Sequence, residues 1–385
     1  MHPQPMQDEL FSSWLVRLAF SNHFPLHSFY SGLLGFKGQI WNRDIDRSQP
    51  DQLLTLLSQA TGQPLQVLQG MSLARYEGTF YQQLSSNGSI AWLLPLGIFH
   101  RTHKLAGLQY CPLCLNEDPL PYYRQPWRVA LAVACKHHGC VMEDLCSRCK
   151  APIIFHRHGV GRDKCPHVAQ LRKCHACGAD LGLSIPRYPS WPDERTLELS
   201  MALATDFEAC PWRQIVQGVP CAMPFFVGLH KLLSLLNGRY GERLQRTFCP
   251  DLGVEVLLSS KLHFERQGIE RRLQLVLRAC WLLQEWPERF VRCCRTMGMS
   301  RSRTTELPGM LPYWLETVLS NHLDLRVYFV SEQEVSEAAN YLAAHGQEVA
   351  LDTLMPLLGQ QRDATRRLFK QWCAGRDRKA ALMRS

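Results

Sequence analysis

The stretch from 111 to 177 constrains this chain more than any other. It carries four pairs of cysteine or histidine with two residues between the members: Cys111-Pro-Leu-Cys114, Cys135-Lys-His-His138, Cys146-Ser-Arg-Cys149 and Cys174-His-Ala-Cys177. Two soft ligands at that spacing reach one ion from a tight turn, and four of them complete the tetrahedron that zinc prefers. Twenty residues separate the first pair from the second, and twenty-four separate the third from the fourth. The order predicts two Zn2+ ions, one on Cys111, Cys114, Cys135 and His138, the other on Cys146, Cys149, Cys174 and Cys177. Four protein donors leave no coordination position open, so both ions are expected to hold shape rather than perform chemistry. His138 is preferred over His137 because it repeats the two-residue gap. Cys140 reads as a small buried side chain, and Cys165 and His167 as loop residues that could in principle serve the second ion.

Cysteine usage agrees with metal. About half of the sixteen cysteines lie in this one window, in a chain too large to need a disulfide framework. The longest apolar run, "AWLLPLGIF" at 91–99, is far too short to span a bilayer, and the first residues lack the basic-then-apolar layout of a secretory signal. A soluble cytoplasmic protein is expected. The formal net charge of +9 is uneven: 106–190 carries +5 and 362–385 alone carries +6. Excess at these two places favours a polyanionic partner through counterion release.

The 385 residues divide by composition into 1–105, 106–190 and 191–385. The first part reads as helical. Apolar spacing over 8–35 predicts a helix pair, and 51–73 predicts helix, glycine turn at Gly62 and second helix, the pattern of a helix-turn-helix. That second helix has no basic residue and suits a scaffold better than a DNA groove. The middle part is the tandem zinc-binding region, of zinc-finger or ribbon type. The last part is helical throughout, with amphipathic runs near 193–207, 224–237, 270–286, 308–322 and 332–346. It ends at 348–373 in a second helix-turn-helix-like segment, with Leu354, Leu357 and Leu358 on its first helix, a turn at Gly359, and Leu368, Phe369 and Trp372 inward on its second helix. Arg362, Arg366, Arg367 and Lys370 on its second helix are candidate phosphate contacts. The stretches 301–309 and 326–332 follow no clear period. The fold expected is mainly α, with small zinc-binding elements between an amino-terminal helix-turn-helix domain and a helical carboxyl-terminal domain.

Motifs for catalysis are missing from the chain. There is no phosphate-binding GxxxxGK[ST] loop, no GxGxxG, no GxSxG elbow and no HExxH. Glu117 and Asp118 lie close to Cys114, but a catalytic zinc would need an open ligand position beside such a base. No catalytic or organic-cofactor residues are assigned.

The run "WLLPLGIFHR" at 92–101, followed by "GLQYCPLCL" and "YYRQPWRVALAVACKHHGCVMEDLCSRCKAPI", resembles the TniQ/TnsD family of transposon target-selection proteins. The resemblance covers roughly 5–180. Its most specific parts are the CPLC pair, Trp127-Arg128 ahead of the CxxH pair, and the CxxC after it; "EWPERF" at 285–290 agrees more loosely. It implies the same eight zinc ligands and a non-enzymatic adaptor. Such an adaptor joins a target-recognition complex, either a CRISPR effector such as Cascade or target DNA, to an AAA+ ATPase regulator of the TnsC/TniB kind and its transposase. A homodimer in the bacterial cytoplasm is also implied. Long members of the TnsD type read a fixed attachment site through an extended carboxyl-terminal region. This chain is shorter, which is similar to the members that work beside a CRISPR effector and to those of mercury-resistance-type transposons. The alternative is autonomous sequence-specific DNA binding, of the attachment-site type or as a zinc-dependent transcription regulator. Tyr122, Tyr123 and Trp127 are possible partner anchors, although Trp127 is expected to pack the first zinc module.

Overall fold

Residues 11–20 are apolar on nearly every side, so a helix built from them has no face to give to water. In the computed structural model they form α1 (Phe11–Ser21), buried from Phe11 to Phe20. The model describes residues 1–158, 166–209, 211–301, 311–324, 330–358 and 362–382. The polar side chains that α1 carries inward are all partnered. Ser12 donates from its backbone and hydroxyl to Asp46 at 2.7 and 2.8 Å, and Arg17 meets Glu9 at 2.7 Å, both nearly inaccessible. The second half of the expected helix pair is a π-helical stretch, Ser28–Leu33.

Next come α2 (Asp51–Thr61) and α3 (Leu65–Gly70), parted by Gly62 at φ 72°. That left-handed value is the reason a glycine stands there. The one sheet among the described residues is a hairpin of β1 (Ile98–Phe99) and β2 (Thr102–His103). A short α4 (Pro112–Glu117) opens the cysteine-rich region, which is otherwise turns and single bridges.

Helices dominate from 194 onward: α5 (Glu194–Thr205), α6 (Ala222–Asn237), α7 (Gly241–Gln245), α8 (Ile269–Leu283), α9 (Glu288–Thr296) and α10 (Tyr313–Leu323). Gly228 of α6 has a packing role. A Cβ there would sit 2.1 Å from the Trp314 ring, so its absence lets α10 lie against α6. The expected helices at 193–207, 224–237, 270–286 and 308–322 therefore exist, with the last beginning at Tyr313. Most of 301–309 and 326–332 lies outside the described residues.

Two compact units result, Met1–Leu323 and Asp324–Ser385. One apolar cluster runs through the first unit, from Leu10 by way of Tyr110 and Val133 to Leu323. Buried ion pairs tie its segments together. Arg128 bridges Asp44 and Asp46. Arg272 of α8 is fully buried and donates to Ala130 O at 2.8 Å and Gln109 Oε1 at 3.1 Å. Asp144 accepts from the first backbone N–H of α8, at Ile269.

The second unit consists of α11 (Glu332–Ala344), α12 (Leu351–Leu358) and α13 (Arg362–Leu382). Ser331 and Glu334 form a reciprocal capping box on α11, satisfying two backbone N–H groups that a helix start leaves without partners. Ala339, Leu342 and Leu354 are buried, with Leu358, Phe369 and Trp372 packed against them. The inward positions expected at Phe369 and Trp372 agree with this packing, whereas Leu368 is half-buried and lies outside the cluster. Leu357 instead stays 49% exposed, since it follows Pro356 inside a short helix. Gly359 lies outside the described residues, and α13 runs well beyond Trp372.

Candidate metal centres

Three of the four ligand pairs share one backbone frame. In Cys135–His138, Cys146–Cys149 and Cys174–Cys177, the first cysteine's N–H donates to a carbonyl five residues on, at Cys140, Ala151 and Ala179, in each case within 2.9 Å. Its own carbonyl accepts from the N–H four residues on. The flanks pair as a seven-residue antiparallel bridge each time: Ala134 with Val141, Leu145 with Pro152, Lys173 with Asp180. Closing such a knuckle needs a left-handed residue directly after the second ligand. Gly139 (φ 64°), Lys150 (φ 58°) and Gly178 (φ 72°) fill that place. Gly178 is legible from sequence as a turn former; Lys150 is not, because a side chain is disfavoured there. The remaining pair is built differently. Cys111 caps α4, its sulfur accepting from Cys114 N, with Pro112 at the first helical position.

These frames bring the eight residues into two groups. The donor atoms of Cys111, Cys114, Cys135 and His138 all lie within 4.8 Å of one another, as do those of Cys146, Cys149, Cys174 and Cys177. A tetrahedral ion with zinc–sulfur distances of about 2.3 Å spaces its sulfurs about 3.8 Å apart, and a sulfur and an imidazole nitrogen about 3.6 Å apart. His138 Nδ1 is 3.5, 3.3 and 3.6 Å from the sulfurs of Cys111, Cys114 and Cys135. Cys114 and Cys135 are 3.5 Å apart. In the second group, Cys146 and Cys177 are 3.8 Å apart and Cys149 and Cys174 are 3.6 Å apart. Both donor sets fit a tetrahedral cation with soft ligands, and either group can hold zinc.

The first group is the more enclosed. Its three cysteines are buried, whereas Cys149 is exposed and Cys177 half-buried. Crowded thiols contend for protons: hydrogen bonds from Cys114, Cys135 and Cys140 push the Cys111 thiol far down, and the thiols around Cys114 push that one up. A divalent cation among them would remove the conflict.

Glu117 emerges with a role that spacing could not assign. Its carboxylate lies 2.8 Å from His138 Nε2, so with Nδ1 turned to the sulfurs the Nε2–H donates to Glu117. That arrangement fixes the tautomer and orients the ring. Glu117 is thus engaged with a ligand, not free as a base beside an open site. Cys140 is fully buried, and its sulfur is 3.5 Å from that of Cys111. It lies outside the four-donor group, touching a ligand. His167 starts the 168–172 turn and is not brought to either group; Cys165 lies outside the described residues. His137 points away, lining a small cavity with Lys136 and Asp206.

The aromatic anchors do not survive as surface features. Tyr122, Tyr123 and Trp127 are all buried. The Trp127 ring packs edge-on against Tyr123 at 5.7 Å, and the Arg124 guanidinium covers it at 5.0 Å. Burying an indole and two phenols removes what could have been a partner surface, and the Tyr123 hydroxyl donates to Leu171 O at 3.0 Å. Of the basic candidates, Arg366, Arg367 and Lys370 are exposed on α13, while Phe369 and Trp372 are partly buried. Arg362 opens that helix, and its side chain lies outside the described residues.

Among the described residues, no helix is long and apolar enough to cross a membrane. No curated protein matches the chain. The TniQ family model matches residues 1–142, a span that takes in the first four-donor group and stops short of the second. Over those 142 residues the chain is similar to the TniQ family, and a TniQ domain implies a transposition-associated role in target selection.

Proposed function

We propose that the protein is a non-enzymatic target-selection adaptor in Tn7-like transposition, joining a target-recognition complex, either a CRISPR effector such as Cascade or target DNA, to an AAA+ regulator and so to the transposase. The match of residues 1–142 to TniQ carries this reading. In it, Cys111, Cys114, Cys135 and His138 hold one zinc ion, and Cys146, Cys149, Cys174 and Cys177 a second. The metals supply cross-links where the chain has turns but little regular structure. The chain's own residues do the rest: Glu117 orients His138, and Arg128 and Arg272 lock the cysteine-rich region to the helices around it. The three parts 1–105, 106–190 and 191–385 then serve as amino-terminal scaffold, zinc-held middle and helical end.

Reconstitution tests the reading. Tagged protein should retain an AAA+ regulator of the TnsC/TniB kind and a CRISPR effector complex or target DNA supplied with it. Retention of neither, by folded and zinc-loaded protein, would overturn it. A second reading is favoured by one observation, the exposed Arg366, Arg367 and Lys370 on α13. It makes the chain an autonomous reader of a DNA site. It requires preference for one duplex in the presence of excess competitor, and equal binding to all duplexes would sink it.

A further inference from the structure

The β1–β2 hairpin breaks a local rule in a way that suits a ligand. Its register, Ile98 opposite His103 and Phe99 opposite Thr102, leaves a two-residue loop, His100-Arg101. Both loop residues have positive φ, 46° and 64°, as a type I′ turn demands. Asn-Gly is the favoured pair there, and side chains such as His and Arg sit in that region at a cost. Phe99, next to the loop, is 52% exposed. The Lys104 ammonium lies 3.9 Å from the Phe99 ring centroid, and His100 meets the same ring edge-on at 4.2 Å. Arg101 and Lys104 are exposed, and among the described residues neither joins an ion pair. No acidic residue occurs between Gly97 and Gln109.

The hairpin is also braced from below. His103 contacts His156 at 5.0 Å, and His156 stacks on Trp41 at 4.6 Å and 8°. His156 Nε2 donates to the Arg101 carbonyl at 3.2 Å. Burial lowers both histidines, His103 to about 3, and Arg157 pushes each the same way. The two supporting histidines are therefore neutral, and the charges carried by the hairpin itself are those of Arg101 and Lys104.

We propose that this hairpin is a DNA-contacting element, with Arg101 and Lys104 on backbone phosphates of duplex DNA and Phe99 against the sugar and base edges of the groove. Two exposed cations that join no ion pair among the described residues, beside an exposed aromatic ring in a stretch without acidic residues, match a phosphate backbone better than a protein face. Phosphate contacts of this kind position a protein without reading sequence, and an apolar side chain between basic ones is the usual companion in a groove. The inference goes beyond the adaptor reading and stands without it.

The test uses the purified full chain and a labelled random-sequence duplex, followed by fluorescence anisotropy over a salt series. The variant H100N/R101G/K104Q removes both cations while giving the loop its preferred residues, so its melting temperature should be no lower than that of the parent. Each phosphate contact contributes about 0.9 to the salt slope. The parent should then lose about 12-fold more affinity than the variant between about 50 and about 200 mM salt. Phe99→Ala should weaken binding with the slope unchanged. Equal affinity and slope for the folded triple variant would overturn the proposal. So would a variant that keeps DNA binding but loses capture of the AAA+ regulator, because the hairpin would then be a protein dock. DNA binding is measured without transposition partners, so failure of the adaptor reading leaves this result interpretable.

Discussion

Arg128→Met should be among the most damaging single changes outside the cysteines. The guanidinium is 1% exposed. It forms a two-pronged pair with Asp44 at 3.0 and 2.6 Å, reaches Asp46 at 3.2 Å and donates to Leu94 O at 3.1 Å. Removing one partner of a buried pair leaves uncompensated charge and costs about 3–5 kcal/mol. The pH dependence identifies the cause. Burial lifts the Asp46 carboxyl from 3.8 to about 6, against the pull of Arg128. A carboxyl raised on folding stabilises the folded state in acid; that contribution is whole below the unfolded value and lost as pH climbs through the folded one. Without Arg128 the carboxyl rises further, so the deficit of the variant should open above about pH 6 and narrow below it. Urea unfolding monitored by tryptophan fluorescence, at several pH values between about 5 and about 8, reads both effects. Adding Asp46→Asn should recover much of the loss at the alkaline end. A deficit under about 1 kcal/mol, or one that does not change with pH, would refute the reasoning.

Other outcomes can be checked on the same protein. Glu117→Gln should weaken metal at the first group by about tenfold, the low end for such a partner because Glu117 is largely exposed, as read by competition with a chelating dye. Cys174→Ser should lower the zinc content of purified protein from about two ions to about one, whereas Cys140→Ala should leave it unchanged. Lys150→Gly should raise stability by roughly 1 kcal/mol, by relieving the one side chain held in a left-handed knuckle position.

The ligand groups were legible because metal chemistry dictates spacing along the chain: a two-residue gap is a local property, and every pair in 111–177 has it. Helices were legible for a similar reason, since apolar periodicity near 194–237 and 269–283 reflects one buried face. Long-range partnerships leave no local trace. Nothing in the neighbourhood of Glu117 announces His138, twenty-one positions away, and Arg128 with Asp44 spans eighty-four. The burial of Tyr122 and Tyr123 escaped for the same reason, because an aromatic run beside an arginine reads equally well as surface or as core. Lys150 violates the preference that sequence reading relies on, and only the repeated backbone frame reveals it.

The thin interior of Asp324–Ser385 has a consequence of its own. Among the described residues its buried apolar side chains are Val330, Val335, Ala339, Leu342 and Leu354, a shallow reserve against chain entropy for a body that small. Warming should dismantle this end before Met1–Leu323, and a polyanion gripping α13 would harden it by mass action. Its persistence would then register whether the basic helix is occupied.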